Sequence, residues 1–432
     1  MRILGALASA ILAVAAGCSG PDRGQDSELD QVLVDVTVID GTGAAPRAGQ
    51  TVEIREGRIT AIRPTAPGDN ATVDVAGSFV APGLIDAHVH LTISPAVTDS
   101  ASLEAFLDQD LPEILRGFLR HGVTTVRSTG DYWPWIGSVR DRIAAGELEG
   151  PRLLTAGPVL TYTGAHPAST VCEGNPFCRS AVVAEVGSPE DARVTVERLA
   201  REGVDFIKVV SDSVLVPVQI PDEVMAAVID RAHREEIEAV AHVAEAEFIR
   251  RAAGAGLDGF VHPTLSPLSP DEARELASVL VQHATPVTTT VSAFLIYSGA
   301  PVDVALRPGS ELHEGLVASA RPLAMMAEEG VQMVVGTDWC PCGPGADAPN
   351  LAPGAVTLTE MEVLGWAGMS PEAILVAATG NAARALRLDS DLGTVTVGKL
   401  ADLVVYPADP TVDITALRDP SHVIMGGKLV RP

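Results

Sequence analysis

The chain has 432 residues, enough for a large buried core and more than one domain. Hydrophobic residues make up 47% and charged residues 20%, which excludes both a polar disordered tail and a multi-span membrane protein. Lys and Arg total 30 against 56 Asp and Glu, so the net charge of -26 repels phosphate backbones, and nucleic acid is not an expected partner.

In chain order, the first feature is the uncharged run Ile3 to Gly17, which has the length of a signal-peptide core and falls short of the roughly 20 residues a spanning helix needs. It ends at Cys18 in VAAGC, which resembles a bacterial lipobox, although Ala15 stands where Leu is usual. The expectation is a signal peptide over 1–17, lipidation at Cys18 and a polar linker over 18–30. Export to the periplasm or cell envelope follows, with membrane attachment through the lipid.

Residues 31–80 read as short strands: QVLVDVTVID, TVEIREGRITAI and ATVDVAGSFV are rich in Val, Ile and Thr and are punctuated by Gly, Pro and Asn. From 81 to 385 short apolar runs alternate with helical stretches such as PEDARVTVERLAREG and DEVMAAVIDRAHREE. That alternation predicts a parallel sheet with helical crossovers. LIDAHVH, GVTTVRS, RLLTAG, DFIKVVS, IEAVAHV, DGFVHP, PVTTTV and VQMVVGTD supply eight candidate inner strands, the number of a (β/α)8 barrel. Strand character returns over 386–432 in LGTVTVGKLADLVVYPAD and HVIMGGKLV. The two β-rich ends are expected to build one small composite β-sandwich outside the barrel.

Apart from Cys18, the cysteines are Cys172, Cys178, Cys340 and Cys342, an even set in a chain expected to reach an oxidising compartment. Disulfides are expected. Three connectivities are open, and Cys172 with Cys178 closes a short loop most simply. The C-x-C and C-x5-C spacings fit a structural zinc site poorly.

Two motif matches carry no weight. GAGLDG at 254–259 follows a helix and precedes a strand, the reverse of a dinucleotide-binding turn, and GTVTVGKL at 393–400 has Leu400 where a phosphate loop needs Ser or Thr. A nucleophile elbow G-x-S-x-G and the zincin motif H-E-x-x-H are both absent.

The chemistry sits at the strand ends. In PGLIDAHVH, His88 and His90 are two residues apart, so their imidazoles project from one strand face about 7 Å apart and can converge on a cation. His242 ends IEAVAH, His262 ends DGFVH and Asp338 ends VQMVVGTD, each at the C-terminal end of a candidate barrel strand, where barrel active sites are built. Four imidazoles and a carboxylate suit a divalent ion, zinc first, with manganese, iron or cobalt as alternatives. Lys208 lies inside the apolar DFIKVV, where an isolated ammonium is costly. It reads either as a Schiff-base nucleophile or as a modified metal ligand, and the neighbouring histidines favour the metal. His166 in YTGAHP and Tyr162 on the same loop are candidate substrate-binding residues.

PGLIDAHVH, GVTTVRSTG, GVDFIKVV, AHVAEA, GFVHP and GTD, followed by MSPEAILVAATGNAARAL and LGTVTVGKLADLVV, resemble the amidohydrolase superfamily, with the imidazolonepropionase-like and Xaa-Pro dipeptidase-like branch nearest. The resemblance implies that His88, His90 and Asp338 hold one metal and His242 and His262 a second. Lys208 resembles the family lysine that is carboxylated and bridges the two. It implies hydrolysis of C–N bonds in small substrates such as dipeptides, N-acyl amino acids or cyclic amides, with Asp338 as general base. An esterase, lactonase or phosphotriesterase-like hydrolase is the second reading, and a non-catalytic solute-binding lipoprotein the third. A homo-oligomer is compatible with the sequence, which does not decide it.

Overall fold

The computed structural model describes residues 31–211, 215–243, 245–262 and 268–430. The expected signal peptide over 1–17, the expected linker over 18–30 and Cys18 lie outside the described residues.

Strands from both ends of this span share one seven-stranded sheet. Gln31–Val38 pairs antiparallel with Arg47–Arg55 and parallel with Phe79–Pro82, and Arg47–Arg55 turns back into Arg58–Pro64. Phe79–Pro82 pairs antiparallel with Leu403–Tyr406, which continues into His422–Met425 and Lys428–Val430. The two outer turns then meet: Ala401 N–H donates to Gly57 O at 2.8 Å and Gly427 N–H to Ala401 O at 3.1 Å. Alternate residues Leu33, Ile54, Ile59, Val80, Leu403 and Ile424 fill the space enclosed. Two expected strand runs are not strands. ATVDVA contributes only an isolated bridge from Leu33 to Val73, and TVTV before Gly398 is a turn-rich segment.

The remaining strands are parallel and fall into two sheets. One contains Leu84–Val89, Val123–Ser128 and Arg152–Thr155. The other runs Met333–Val334, Val287–Thr288, Gly259–Val261, Glu238–Val243, Phe206–Ser211, Val159–Tyr162 and Val183–Val186. Backbone hydrogen bonds also run between the two. Asp205 N–H donates to Thr155 O at 2.9 Å on one side; on the other, Ala87 N–H donates to Val335 O at 2.9 Å and Asp338 N–H to His88 O at 2.8 Å.

RLLTAG, expected as one strand, is instead half of a broken one. Gly157 adopts φ 64° and Pro158 has no N–H to give a ladder, so the chain kinks between Arg152–Thr155 and Val159–Tyr162, and each half pairs with a different neighbour. Val183–Val186 is a strand the sequence pattern did not reveal.

Helices cover the outside, and their starts are legible locally. Ser188, Ser269 and Ser370 each accept a hydrogen bond from the third helical N–H and are each followed by Pro at the first helical position. Surface helices bury one stripe, as in Pro189–Glu202, where Ala192, Val196 and Leu199 face inward, whereas Ala355–Trp366 is buried on all sides from Ala355 to Leu364. Among the described residues no helix is long and apolar enough to cross a membrane.

Candidate metal centre and active site

A cavity of about 850 Å³ opens at the C-terminal ends of the parallel strands. His88, His90, Lys208, His242, His262 and Asp338 all line it, together with His166. Six residues from five separate stretches of chain thus line one cavity. The seventh, His166, sits where the loop after Val159–Tyr162 passes the rim.

Tyr162 does not line the cavity. Along that strand Val159 faces the cavity and Thr161 donates its hydroxyl to His166 O at 2.6 Å, so alternation turns Leu160 and Tyr162 to the opposite side, against the apolar core. Tyr162 is therefore a packing residue.

Asp338 is the hub. Its Oδ1 lies 3.0 Å from His88 Nε2 and 3.2 Å from His90 Nε2, and its Oδ2 lies 4.0 Å from His262 Nε2. Ring centres are 4.6 Å apart for His88 and His262, 4.4 Å for His242 and His262, and 5.3 Å for His166 and His242. The tightest donor group is His88, His262 and Asp338, whose ligand atoms lie within 4.8 Å of one another. The two sets expected from the sequence thus meet through His262 and Asp338.

Hydrogen bonds orient two of the rings. His90 Nδ1 is 2.6 Å from Gly130 O, so it donates there and leaves Nε2 with its lone pair toward the cavity. His262 Nδ1 is 2.7 Å from Thr290 Oγ1. Neither ring nitrogen of His88 has a hydrogen bond, and its 3.0 Å approach to Asp338 lacks hydrogen-bond geometry. Lys208, only 2% exposed, also has no hydrogen-bond partner for Nζ among the described residues.

Burial holds the His88 and His262 imidazoles and the Lys208 ammonium well below their ordinary pKa values, which leaves lone pairs available. Burial also works against charge on Asp338, but His262 and His88 outweigh it and keep the carboxyl well below the usual carboxylate range. Orphaned buried nitrogens around an ionised carboxylate are what a divalent cation would satisfy, so the donor set fits the expected metal.

The backbone is held in uncommon conformations here. Asp338 has φ 58° and His262 φ 62°, the left-handed region, which costs on the order of 1–3 kcal/mol per non-glycine residue. Close approach sets Gly336: a Cβ there would stand 2.5 Å from Thr288 Cγ2 and 2.9 Å from His88 Cβ. Any side chain would push the last strand off the first and Asp338 away from His88.

Three buried acids that sequence reasoning missed support this frame. Asp86 accepts from Thr337 Oγ1 at 2.9 Å and Thr357 Oγ1 at 2.8 Å, tying the first strand to the segment before Asp338; burial raises its pKa to about 7. Asp131 accepts from Leu91 N–H at 2.9 Å and Thr92 N–H at 2.7 Å, fixing the chain just past His90. Glu360 accepts from Val291 N–H at 3.0 Å and Ser292 N–H at 2.7 Å, holding the loop that carries Thr290. Asp86 had a signal, since D-x-H-x-H puts it on the same strand face as both histidines. Glu360 had none, because its partners are far away in sequence.

Both cysteine pairs are bonded locally, Cys172 with Cys178 and Cys340 with Cys342. Cys340 and Cys342 lie on the cavity wall, directly after Asp338.

Parallel strands flanked by helices, with His88, His90, His242, His262 and Asp338 at or just past strand C-terminal ends, are the arrangement of a TIM-type barrel with its site on the rim. A model of the amidohydrolase family matches residues 79–430, and the chain belongs to that family. It is similar to an imidazolonepropionase of Brevibacillus brevis, at 26% identity over 77% of this chain and 76% of the relative. Among solved structures it resembles a putative prolidase from Bifidobacterium longum, with a TM-score of 0.70 and 29% identity over 93% of this chain and 94% of that one. Phenylurea hydrolase B superposes with a TM-score of 0.77 at 23% identity, covering 92% and 96% of the two chains.

Proposed function

We propose that the protein is a metal-dependent hydrolase of C–N bonds in small amides. The observation that carries the reading is the meeting of His88, His90, Lys208, His242, His262 and Asp338 around one cavity, with buried nitrogens left unsatisfied. In this reading His88, His90 and Asp338 hold one divalent ion and His242 and His262 a second, zinc being the best match to the donors. Such ions supply Lewis-acid charge and make water acidic enough to attack at neutral pH.

The protein's own groups do the rest. Asp338, ionised and central, accepts the proton of the attacking water as the new C–O bond forms. It then returns that proton to the nitrogen as the C–N bond breaks. Lys208 is proposed to react with carbon dioxide, its amine forming an N–C bond and losing a proton to give a carbamate. The resulting anion would balance the cationic charge in a pocket where an ammonium is disfavoured. His166, at the rim beside His242, is placed to contact substrate. The reading also includes closure of eight of the parallel strands into one ring, supported by the hydrogen bonds between the two sheets. It includes a composite domain made from the two chain ends, supported by their shared seven-stranded sheet. Export and a lipid at Cys18 belong to the same proposal, supported by the apolar run before Cys18 and by two disulfides, which persist in oxidising compartments.

The test is a metal analysis of the purified protein combined with a screen of amides, lactams, dipeptides and esters before and after chelation. Stoichiometric divalent metal and a chelator-sensitive amidase activity are expected. Absence of metal together with inactivity after zinc or manganese is restored would overturn the reading. Ester cleavage without amide cleavage would replace it with the esterase alternative.

A further inference from the structure

We propose that the cavity selects uncharged amides carrying extended apolar groups, not substrates with a free carboxylate; this rests on the C–N hydrolase reading above and names its substrate class. Two independent observations carry it, the composition of the wall and the composition of the mouth.

Around the histidines much of the wall is apolar, with Ile93, Val159, Val182, Val210, Val291 and Leu316 lining the space. Lys208 is the only Lys or Arg among the described lining residues, and it belongs to the floor. The adjoining segments 212–214 and 263–267 contain no Lys or Arg in the sequence either. Arg127 lies inside the protein, 3% exposed, with its Nε bonded to Ala87 O at 2.8 Å and its guanidinium 5.0 Å from the centre of the Phe206 ring, so it is not available to a ligand. Among the described lining residues, apart from the histidines and the floor residues Lys208 and Asp338, the one charged side chain is Glu311, an exposed acid. Away from the proposed metal ions, a substrate carboxylate would be desolvated here with no Lys or Arg side chain to receive it and with the acid Glu311 on the same wall.

The mouth is apolar as well. Nine large hydrophobic residues are exposed among the described residues, and four of them, Val171, Leu215, Phe294 and Tyr297, lie on this cavity at 42% to 53% exposure. Scattered exposed hydrophobics need no explanation, but a cluster at the entrance of a reactive cavity marks a binding surface. A volume of about 850 Å³ leaves room for such a group beyond the reacting bond.

A matched pair of probes tests this. N-hexylhexanamide and N-hexanoyl-6-aminohexanoate differ in replacing a terminal methyl by a carboxylate. Binding is titrated on the protein as purified, with its metal, and amine release is followed in the same samples. With the amide bond at the metal centre, the neutral probe should bind at least about tenfold more tightly, because the distal carboxylate meets no Lys or Arg side chain on the wall. Leu215→Arg should cut that ratio to less than about threefold at unchanged metal content by supplying the missing charge, and Val171→Arg is a second variant should the first fold poorly. Equal or tighter binding of the carboxylate probe to the wild-type protein overturns the inference while leaving the C–N hydrolase reading intact. If the metal-loaded protein cleaves no amide at all, the hydrolase reading fails, and the binding ratio still decides this one.

Discussion

Replacing Lys208 by Met should make the metal-free protein more stable and the metal-loaded protein inactive. Lys208 is 2% exposed and its Nζ has no hydrogen-bond partner among the described residues, so folding strips the amine of water and returns nothing. A buried polar group left unpaired costs about 1–3 kcal/mol. Met keeps the unbranched chain and removes the amine, and volume-conserving swaps of this kind cost less than about 1.5 kcal/mol. The net expectation is a gain on the order of 1 kcal/mol for the chelated variant, read as the shift in the midpoint of urea unfolding at unchanged slope. The same substitution deletes the group proposed to bridge the cations. The variant should retain less than the wild-type metal content, and amide turnover should fall at least about a hundredfold. A chelated variant less stable than the chelated wild type would refute the reasoning, because it would mean that the amine has a partner worth more than its dehydration. A control, Lys208→Ala, should instead lose stability by leaving a cavity.

Gly336→Ala places a methyl 2.5 Å from Thr288 Cγ2 and 2.9 Å from His88 Cβ, an overpacking that costs about 1–3 kcal/mol; zinc competition should show weakened binding, and unchanged affinity would disprove the close-approach argument. Glu238 provides a pH signature away from the site. Burial raises its carboxyl from the ordinary 4.5 to about 7, with Arg127 and Arg387 opposing the rise. Its stabilising contribution is therefore complete below pH 4.5 and is lost as pH rises through about 7. Glu238→Gln should match the wild type at pH 5 and exceed its unfolding free energy by on the order of 2 kcal/mol at pH 8, and a pH-independent difference in urea melts would contradict this. Reducing the two disulfides should raise KM before it alters far-ultraviolet circular dichroism, since Cys340 and Cys342 form part of the cavity wall and Cys172 to Cys178 pins the loop that follows His166. Complete thiol reduction with unchanged KM would remove that role.

The site was legible because its residues punctuate apolar runs. His88, His90, Lys208, His242, His262 and Asp338 each stand in or just past a buried strand, and strand ends converge in a parallel sheet whatever the intervening length. Less legible was anything decided by a partner far away in sequence. Glu360 reads as an ordinary helix residue until its carboxylate is seen holding Val291 and Ser292. PVTTTV and VQMVVGTD looked like full strands, yet only Val287–Thr288 and Met333–Val334 sit in a regular ladder. In the second run the chain departs from the ladder near Gly336, where it passes against His88. Tyr162 shows the limit of residue type as a guide. A one-residue shift in alternation decides whether a strand side chain meets substrate or core, and the kink at Gly157–Pro158 that sets the alternation is a tertiary fact.

The seven-stranded sheet shared by the two ends has a consequence for biogenesis. Phe79–Pro82 has Leu403–Tyr406 as its neighbour, so the first strands leave the ribosome long before their partner exists. A nascent chain must carry an unmatched edge through the synthesis of the whole intervening body. Translocation in an extended state would suit such a molecule, since both halves would arrive before either has to commit. Removing the carboxy-terminal strands from Leu403 onward would strip Phe79–Pro82 of its neighbour.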